Sequence, residues 1–272
     1  MAIDLTHDPA SGRYRLTDEQ ALALADQHSP ASLPGAFRLD AFDTYERSFR
    51  PACAAILVDR WIPALDGVHA KLRRGARVAD VGCGRGAATI LLAKAYPNST
   101  FTGFDDHHAS VEAAREAAAD AGVGERVSFQ VADAGRHPGR GYDLVCSFDC
   151  LYDTDDPVGI AAHLLASLAG DGTWLLVEPF ADDHLGDILT PAGRAWRLVS
   201  ALLCGPNGSG RVGAALDGRT GEARLRQVVT AAGCSRFRRA ANARSSIAFE
   251  ARPSPVPGRT IHCLDGDRSA VP

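Results

Sequence analysis

A few aspartates and one run of glycines carry most of the chemistry open to this chain. Arg77-Val78-Ala79-Asp80-Val81-Gly82-Cys83-Gly84-Arg85-Gly86 reads as a short buried strand entering a glycine-rich turn, with a helix over Ala87 to Tyr96 behind it. Glycines suit such a turn because they accept positive φ and let a ligand approach bare backbone. The N-terminus of the following helix offers N–H groups to an anion. The turn is thus a signal for a nucleotide-like cofactor, and a weak one. Gly82, Gly84 and Gly86 fit G-x-G-x-G, while Gly82, Gly84 and Ala87 also fit the dinucleotide pattern G-x-G-x-x-A. Asp105, about 20 residues on, ends Gly103-Phe104-Asp105 and suits ribose hydroxyls in either reading.

Two further carboxylates separate the readings. Asp80 lies inside the strand end, two residues before Gly82. A buried carboxylate is costly unless paired, so a cofactor bearing an ammonium and a sulfonium would explain it, whereas a pyrophosphate would be repelled. Asp133, in Val131-Ala132-Asp133-Ala134, suits the exocyclic amine of adenine. Together these favour S-adenosylmethionine over NAD. Transfer from a sulfonium needs alignment of the acceptor and exclusion of water, and it needs a base only when the acceptor has a high pKa. The candidate bases are Asp149, Tyr152, Asp153 and His184, with Asp149 best placed at a strand end. Tyr45 and Phe49, one helical turn apart, are candidates to line the acceptor site. Asp182 and Asp183 with Asp149 have only weak spacing for a divalent ion, and a solvated acidic loop is the better reading; no metal is expected. Cys146 and Cys150 read as small buried residues rather than zinc ligands.

The elements that must hold these residues follow from periodicity. Strands are expected at Val78–Val81, Thr100–Phe104, Val127–Val131, Tyr142–Phe148 and Thr173–Glu178. Helices are expected over 87–96, at 109–121 with Val111, Ala114, Ala118 and Ala121 on one face, and from Pro157 to Gly170 behind an Asp156 N-cap. This alternation predicts an α/β fold, a doubly wound parallel sheet. A helix over 221–232 and short strands near 236–240 and 246–250 bring the sheet to seven strands, mostly parallel. Before it, a strand at Tyr14–Leu16 and a helix capped by Thr17 and Gln20 are expected, then a helical region at 40–65 broken at Pro51. The expected organisation is 1–36 as an N-terminal unit, 37–75 as a helical cap or linker, 76–252 as the main domain with 180–218 as a lid, and 253–272 as a loosely ordered tail.

Composition narrows the class. The 272 residues are 46% hydrophobic, enough for a full core. A net charge of −4 and a pI near 6.1 give no footprint for nucleic acid. Seven scattered cysteines fit reduced thiols. No signal-peptide pattern opens the chain and no apolar run reaches the roughly 18 residues of a spanning helix, so a cytoplasmic protein is expected.

"VADVGCGRG", "GFD", "VADA", "YDLVCSFDCLYD" and "GTWLLVEP", in this order and spacing, resemble the class I S-adenosylmethionine-dependent methyltransferases over residues 40 to 251. "ERSFRP", "FDCLYD", "DPVG" and "GEARL" further resemble a bacterial branch with an N-terminal winged-helix-like dimerisation domain, of which 1–36 would be the closing part; a homodimer is the corresponding partner expectation. The resemblance implies that Asp80, Gly82 and Gly84 line the methionine end of the cofactor, with Cys83 presenting its backbone. It implies Asp105 on the ribose with Asp106 or His107 beside it, and Ala132, Asp133 and Ala134 at the adenine. Phe148, Asp149 and Cys150 would lie beside the transferable methyl. The expected function is methyl transfer to a small-molecule acceptor such as a specialised metabolite. A non-catalytic cofactor-binding regulator and an NAD-dependent oxidoreductase are the competing readings.

Overall fold

The computed structural model describes residues 6–8, 13–15, 56–151, 154, 156–179, 221–243 and 246–253. Its first elements are two short strands, β1 (Thr6–Asp8) and β2 (Arg13–Arg15), paired antiparallel with His7 opposite Tyr14. The early strand expected from sequence is present one residue ahead of its expected place. The helix expected at Thr17, most of the helical region 40–65, the lid 180–218 and the tail lie outside the described residues.

A π-helical turn at Leu57–Trp61 and a helix, α1 (Val68–Arg74), lead into the sheet. The sequence reading contains no such helix, because Gly67 and Gly75 bracket a stretch with only Val68 and Leu72 as apolar positions one turn apart. Both side chains are buried, and Lys71, Arg73 and Arg74 occupy the last turn, where the helix dipole favours cations. So short a helix exists through its packing rather than its propensity.

From Arg77 strands and helices alternate: β3 (Arg77–Val81), α2 (Ala87–Ala95), β4 (Thr100–Asp105), α3 (His108–Asp120), β5 (Val127–Val131), β6 (Tyr142–Phe148), α4 (Pro157–Ser167) and β7 (Leu168–Pro179). Beyond residue 220 come α5 (Glu222–Ala231), β8 (Cys234–Asn242) and β9 (Ser246–Pro253). The seven strands lie in the order β5-β4-β3-β6-β7-β9-β8; the first five are parallel, and β9 runs antiparallel to β7 and β8. This is the doubly wound, mostly parallel sheet that the alternation predicts.

Successive strand residues face opposite sides, and β3 shows the consequence. Val78 packs with residues of α1, α2 and α3 such as Leu72, Leu92 and Ala114. Ala79 and Val81 pack with Leu164 of α4 and Val228 of α5. The sheet is therefore buried on both faces, as a parallel sheet must be. One boundary differs from expectation. α4 stops at Ser167, whose Oγ donates to the Leu164 carbonyl at 2.7 Å, rather than running to Gly170. Leu168 is already extended and pairs with Tyr142, so β7 begins before the Asp171-Gly172 turn and absorbs it as an irregularity between the Tyr142 and Leu144 pairings. Among the described residues, no helix is long and apolar enough to cross a membrane.

Candidate functional site

The strand order reverses at β3: β4 lies on one side of it and β6 on the other. In an open parallel sheet such a reversal leaves a crevice at the carboxyl ends of the two central strands, where ligands bind. The glycine turn follows β3 and Asp149 follows β6, so both open onto that crevice. Gly82, Gly84 and Gly86 all have positive φ. At Gly86 the bare backbone is doubly required, since φ is 76° and a Cβ would lie 2.5 Å from Phe129 Cζ.

Four N–H groups of this turn are spent inside the protein. Gly82 and Cys83 both donate to the Phe104 carbonyl, at 2.8 and 3.0 Å, and Gly86 donates to the Cys83 carbonyl at 2.8 Å. Gly84 donates to Asp105 Oδ2 at 2.9 Å. A pyrophosphate nest needs such groups aimed outward. This turn is instead a clasp onto β4.

Asp105 is the centre of the clasp. Its Oδ1 accepts the His107 N–H at 2.9 Å, and its carbonyl accepts the Ala132 N–H at 2.9 Å, which ties the end of β5 to the end of β4. Burial raises its pKa, against the lowering by the His107 and Gly84 donors, and the neighbouring Asp106 adds to the rise. Each carboxylate oxygen takes one N–H and retains capacity for a hydroxyl donor. Asp106 and His107 are exposed beside it, and the His107 ring lies 2.9 Å from Ser110 Oγ. Asp133 is also exposed; its Oδ1 accepts the Gly135 N–H at 2.8 Å, which shapes the turn carrying Ala132 and Ala134.

Asp80 is 1% exposed. The sequence predicts a cationic ligand for it, and the structure adds a partner from the protein itself: Thr89 Oγ1 donates to Asp80 Oδ2 at 2.5 Å. Sequence reasoning passed over Thr89, although it is the one hydroxyl in the otherwise apolar opening of α2, Ala87-Ala88-Thr89-Ile90-Leu91-Leu92. The contact locks α2 to β3 immediately behind the turn.

At the end of β6, Phe148 is buried and stacks on Trp61 with centroids 6.3 Å apart. Asp149 follows with φ of 53°, a conformation uncommon outside glycine, and donates its N–H to the Val177 carbonyl at 2.9 Å. Burial pushes its pKa up to about 7. Next to it, Cys150 meets the glycine turn: a Cβ on Gly82 would lie 3.4 Å from Cys150 Sγ. The structure thus brings Asp80, Gly82, Cys83, Gly84, Asp105, Ala132, Asp133, Ala134, Phe148 and Asp149 to the same edge of the sheet. Tyr152, Asp153, His184, Tyr45 and Phe49 lie outside the described residues. Among the described residues no cluster of three or more His, Cys, Asp or Glu side chains could hold a metal ion. An open depression of about 870 Å³ lies elsewhere, along α5 and Arg239, but its charges satisfy one another through Glu222 with Arg226 and Arg239.

A family model described as a methyltransferase domain matches residues 72–217. A trans-aconitate 2-methyltransferase of Streptomyces coelicolor is 34% identical over 104 residues, which are 38% of this chain and 34% of that protein. The 27-O-demethylrifamycin SV methyltransferase of Amycolatopsis mediterranei is 36% identical over 127 residues, 45% of this chain and 43% of that protein. The chain spans less than half the length of these curated relatives. Among solved structures, an O-methyltransferase family 2 protein from Planctomyces limnophilus, solved with apigenin, superposes with a TM-score of 0.62 at 18% identity. That likeness covers 92% of this chain and 77% of the other, and it is a likeness of fold.

Proposed function

This chain belongs to the methyltransferase-domain family, and from that membership we propose that it transfers a methyl group from S-adenosylmethionine to a small-molecule acceptor by in-line displacement. The observation that carries the cofactor reading is the clasp at Asp105. With the N–H groups of Gly82, Cys83, Gly84 and Gly86 used internally, the turn is a poor seat for a pyrophosphate. With Asp80 buried behind the turn, the same place favours a cationic amino-acid tail. Asp105 retains acceptor capacity for ribose hydroxyls, and the 132–134 turn beside it suits adenine. The group so held supplies an electrophilic methyl.

The chain's own residues then align the acceptor and keep water out, with the reacting atoms about 3–3.5 Å apart. Asp149 is the proposed general base. Its elevated pKa of about 7 leaves it able to take a proton from a hydroxyl or amine near neutral pH. Tyr152 and His184 are the alternatives for that role, and Tyr45 or Phe49 the proposed wall of the acceptor site. Support for a small acceptor is indirect: the relatives carry the names of trans-aconitate and a rifamycin, and the structural neighbour was solved with apigenin.

Calorimetric titration of the purified chain with S-adenosylhomocysteine, with NAD as competitor, tests the reading. Saturable binding that NAD does not displace is expected. Preference for NAD, or no binding of S-adenosylhomocysteine at large excess, overturns it.

A further inference from the structure

Glu178, near the end of β7, is 1% exposed. Its Oε1 accepts the Leu151 N–H at 3.1 Å, while its buried Oε2 has no hydrogen-bond partner among the described residues. Asp149 is bonded to the residue before it, through the Val177 carbonyl. The turn after β6 is therefore pinned to the end of β7 at two points, one on main chain and one on the Glu178 carboxyl. Across the antiparallel pairing, Glu178 faces Ile247 of β9, an apolar residue. Among the described residues the one charge acting on Glu178 is Asp149, and no cation pairs with it. A carboxylate buried without a cation is strongly disfavoured against its neutral acid.

Resting on the methyl-transfer reading, we propose that Glu178 is a positioning residue, a buried acid that keeps its proton, pins the 149–151 turn and leaves Asp149 as the carboxyl of the pair that exchanges a proton with the acceptor. Burial and the Asp149 charge both hold the Glu178 pKa well above the ordinary glutamate range, whereas burial alone brings Asp149 to about 7. In the reaction, the proton of the acceptor passes to Asp149 and Glu178 keeps its own. Two like charges at this spot would drive the Asp149 proton affinity up and splay the turn, so the neutral acid serves both geometry and charge.

The test is carboxyl carbon-13 NMR against pH on labelled protein, with S-adenosylhomocysteine affinity measured on the same samples. In the unaltered chain Asp149 is expected to titrate near neutrality and Glu178 to keep its proton through that step. Glu178→Gln, a neutral isostere that still accepts from Leu151, is expected to leave the Asp149 midpoint in place. Glu178→Leu removes that acceptor and is expected to drop the Asp149 midpoint by about a unit or more as the turn opens to water. A fall of that size in Glu178→Gln would mean that Glu178 carries charge, and an unmoved midpoint in Glu178→Leu would mean that it positions nothing; either overturns the proposal. If Glu178→Leu does not fold, Glu178→Gln decides. Failure of the unaltered chain to bind S-adenosylhomocysteine would sink the methyl-transfer reading separately, whatever the carboxyls do.

Discussion

Gly84 donates its backbone N–H to Asp105 Oδ2 at 2.9 Å, so the acid that suits a ribose also fastens the glycine turn to the next strand. Two jobs on one side chain have a practical consequence. Asp105 cannot be removed without loosening the turn that would face the rest of the cofactor.

Asp105→Ala should therefore weaken S-adenosylhomocysteine binding by about tenfold to hundredfold, the loss of one or two hydrogen bonds to a charged group. Asp105→Asn keeps one acceptor oxygen and should fall between. Calorimetry reads both, and an affinity in Asp105→Ala equal to that of the unaltered chain would refute the ribose assignment.

Thr89→Val is close to isosteric and deprives the buried Asp80 of its hydroxyl donor. A hydrogen bond to a charged group in a buried setting contributes about 1.5–3 kcal/mol, and urea unfolding should show a loss of that size. Thr89→Ser, which restores the hydroxyl, should recover most of it. Equal stability in all three forms would show that Asp80 is held by other means.

Asp149 makes stability depend on pH with a definite sign. Its pKa in the folded chain is about 7, above the ordinary value of 3.8 that applies once unfolded. Folding therefore favours the protonated form. Stability is full below pH 3.8, declines as pH rises between the two values, and levels off above about 7. Asp149→Asn, which tolerates the positive φ, should raise the melting temperature at pH 8 by an amount worth on the order of 2–4 kcal/mol and change little in acid. If Asp149 is the base, the same substitution should also slow methyl transfer by about 10²–10⁴-fold once an acceptor is supplied. Thermal melts across the pH range would contradict the burial argument if the two forms run parallel.

Glu250 holds the far side of the sheet. It is fully buried, accepts from Arg252 Nε at 2.7 Å and from Arg238, and receives the Asp66 N–H at 3.2 Å. Asp66 in turn pairs with Arg236 and Arg238, which ties the segment before α1 to β8 and β9. Breaking a buried pair from one side leaves the other charges uncompensated, so Glu250→Ala should cost about 3–5 kcal/mol. Denaturant midpoints report this. Because the network is remote from the glycine turn, affinity for S-adenosylhomocysteine in the folded fraction should stay unchanged.

Much of the fold is legible residue by residue. β6 is a near-continuous apolar run, and α3 shows its buried stripe at Val111, Ala114 and Ala118 as the spacing predicts. α1 is not legible, because its seven residues gain their helix from packing Val68 and Leu72 into a core that the local sequence does not contain. The end of α4 is not legible either, since Gly170 looks like a stop signal while the pairing of Leu168 with Tyr142 decides the matter three residues earlier.

By itself, the sequence determines most of the strands and helices, where the glycine turn lies, and which carboxylates stand at strand ends. Those properties follow from short-range periodicity and backbone preference. Tertiary structure alone decides what each carboxylate touches. The partnership of Asp80 with Thr89, the use of the turn's N–H groups on Phe104 and Asp105, and the bond from Leu151 to Glu178 across 27 residues all depend on how neighbouring strands align. Strand neighbours and their register are set by burial of both sheet faces at once, a condition that no local stretch of chain encodes.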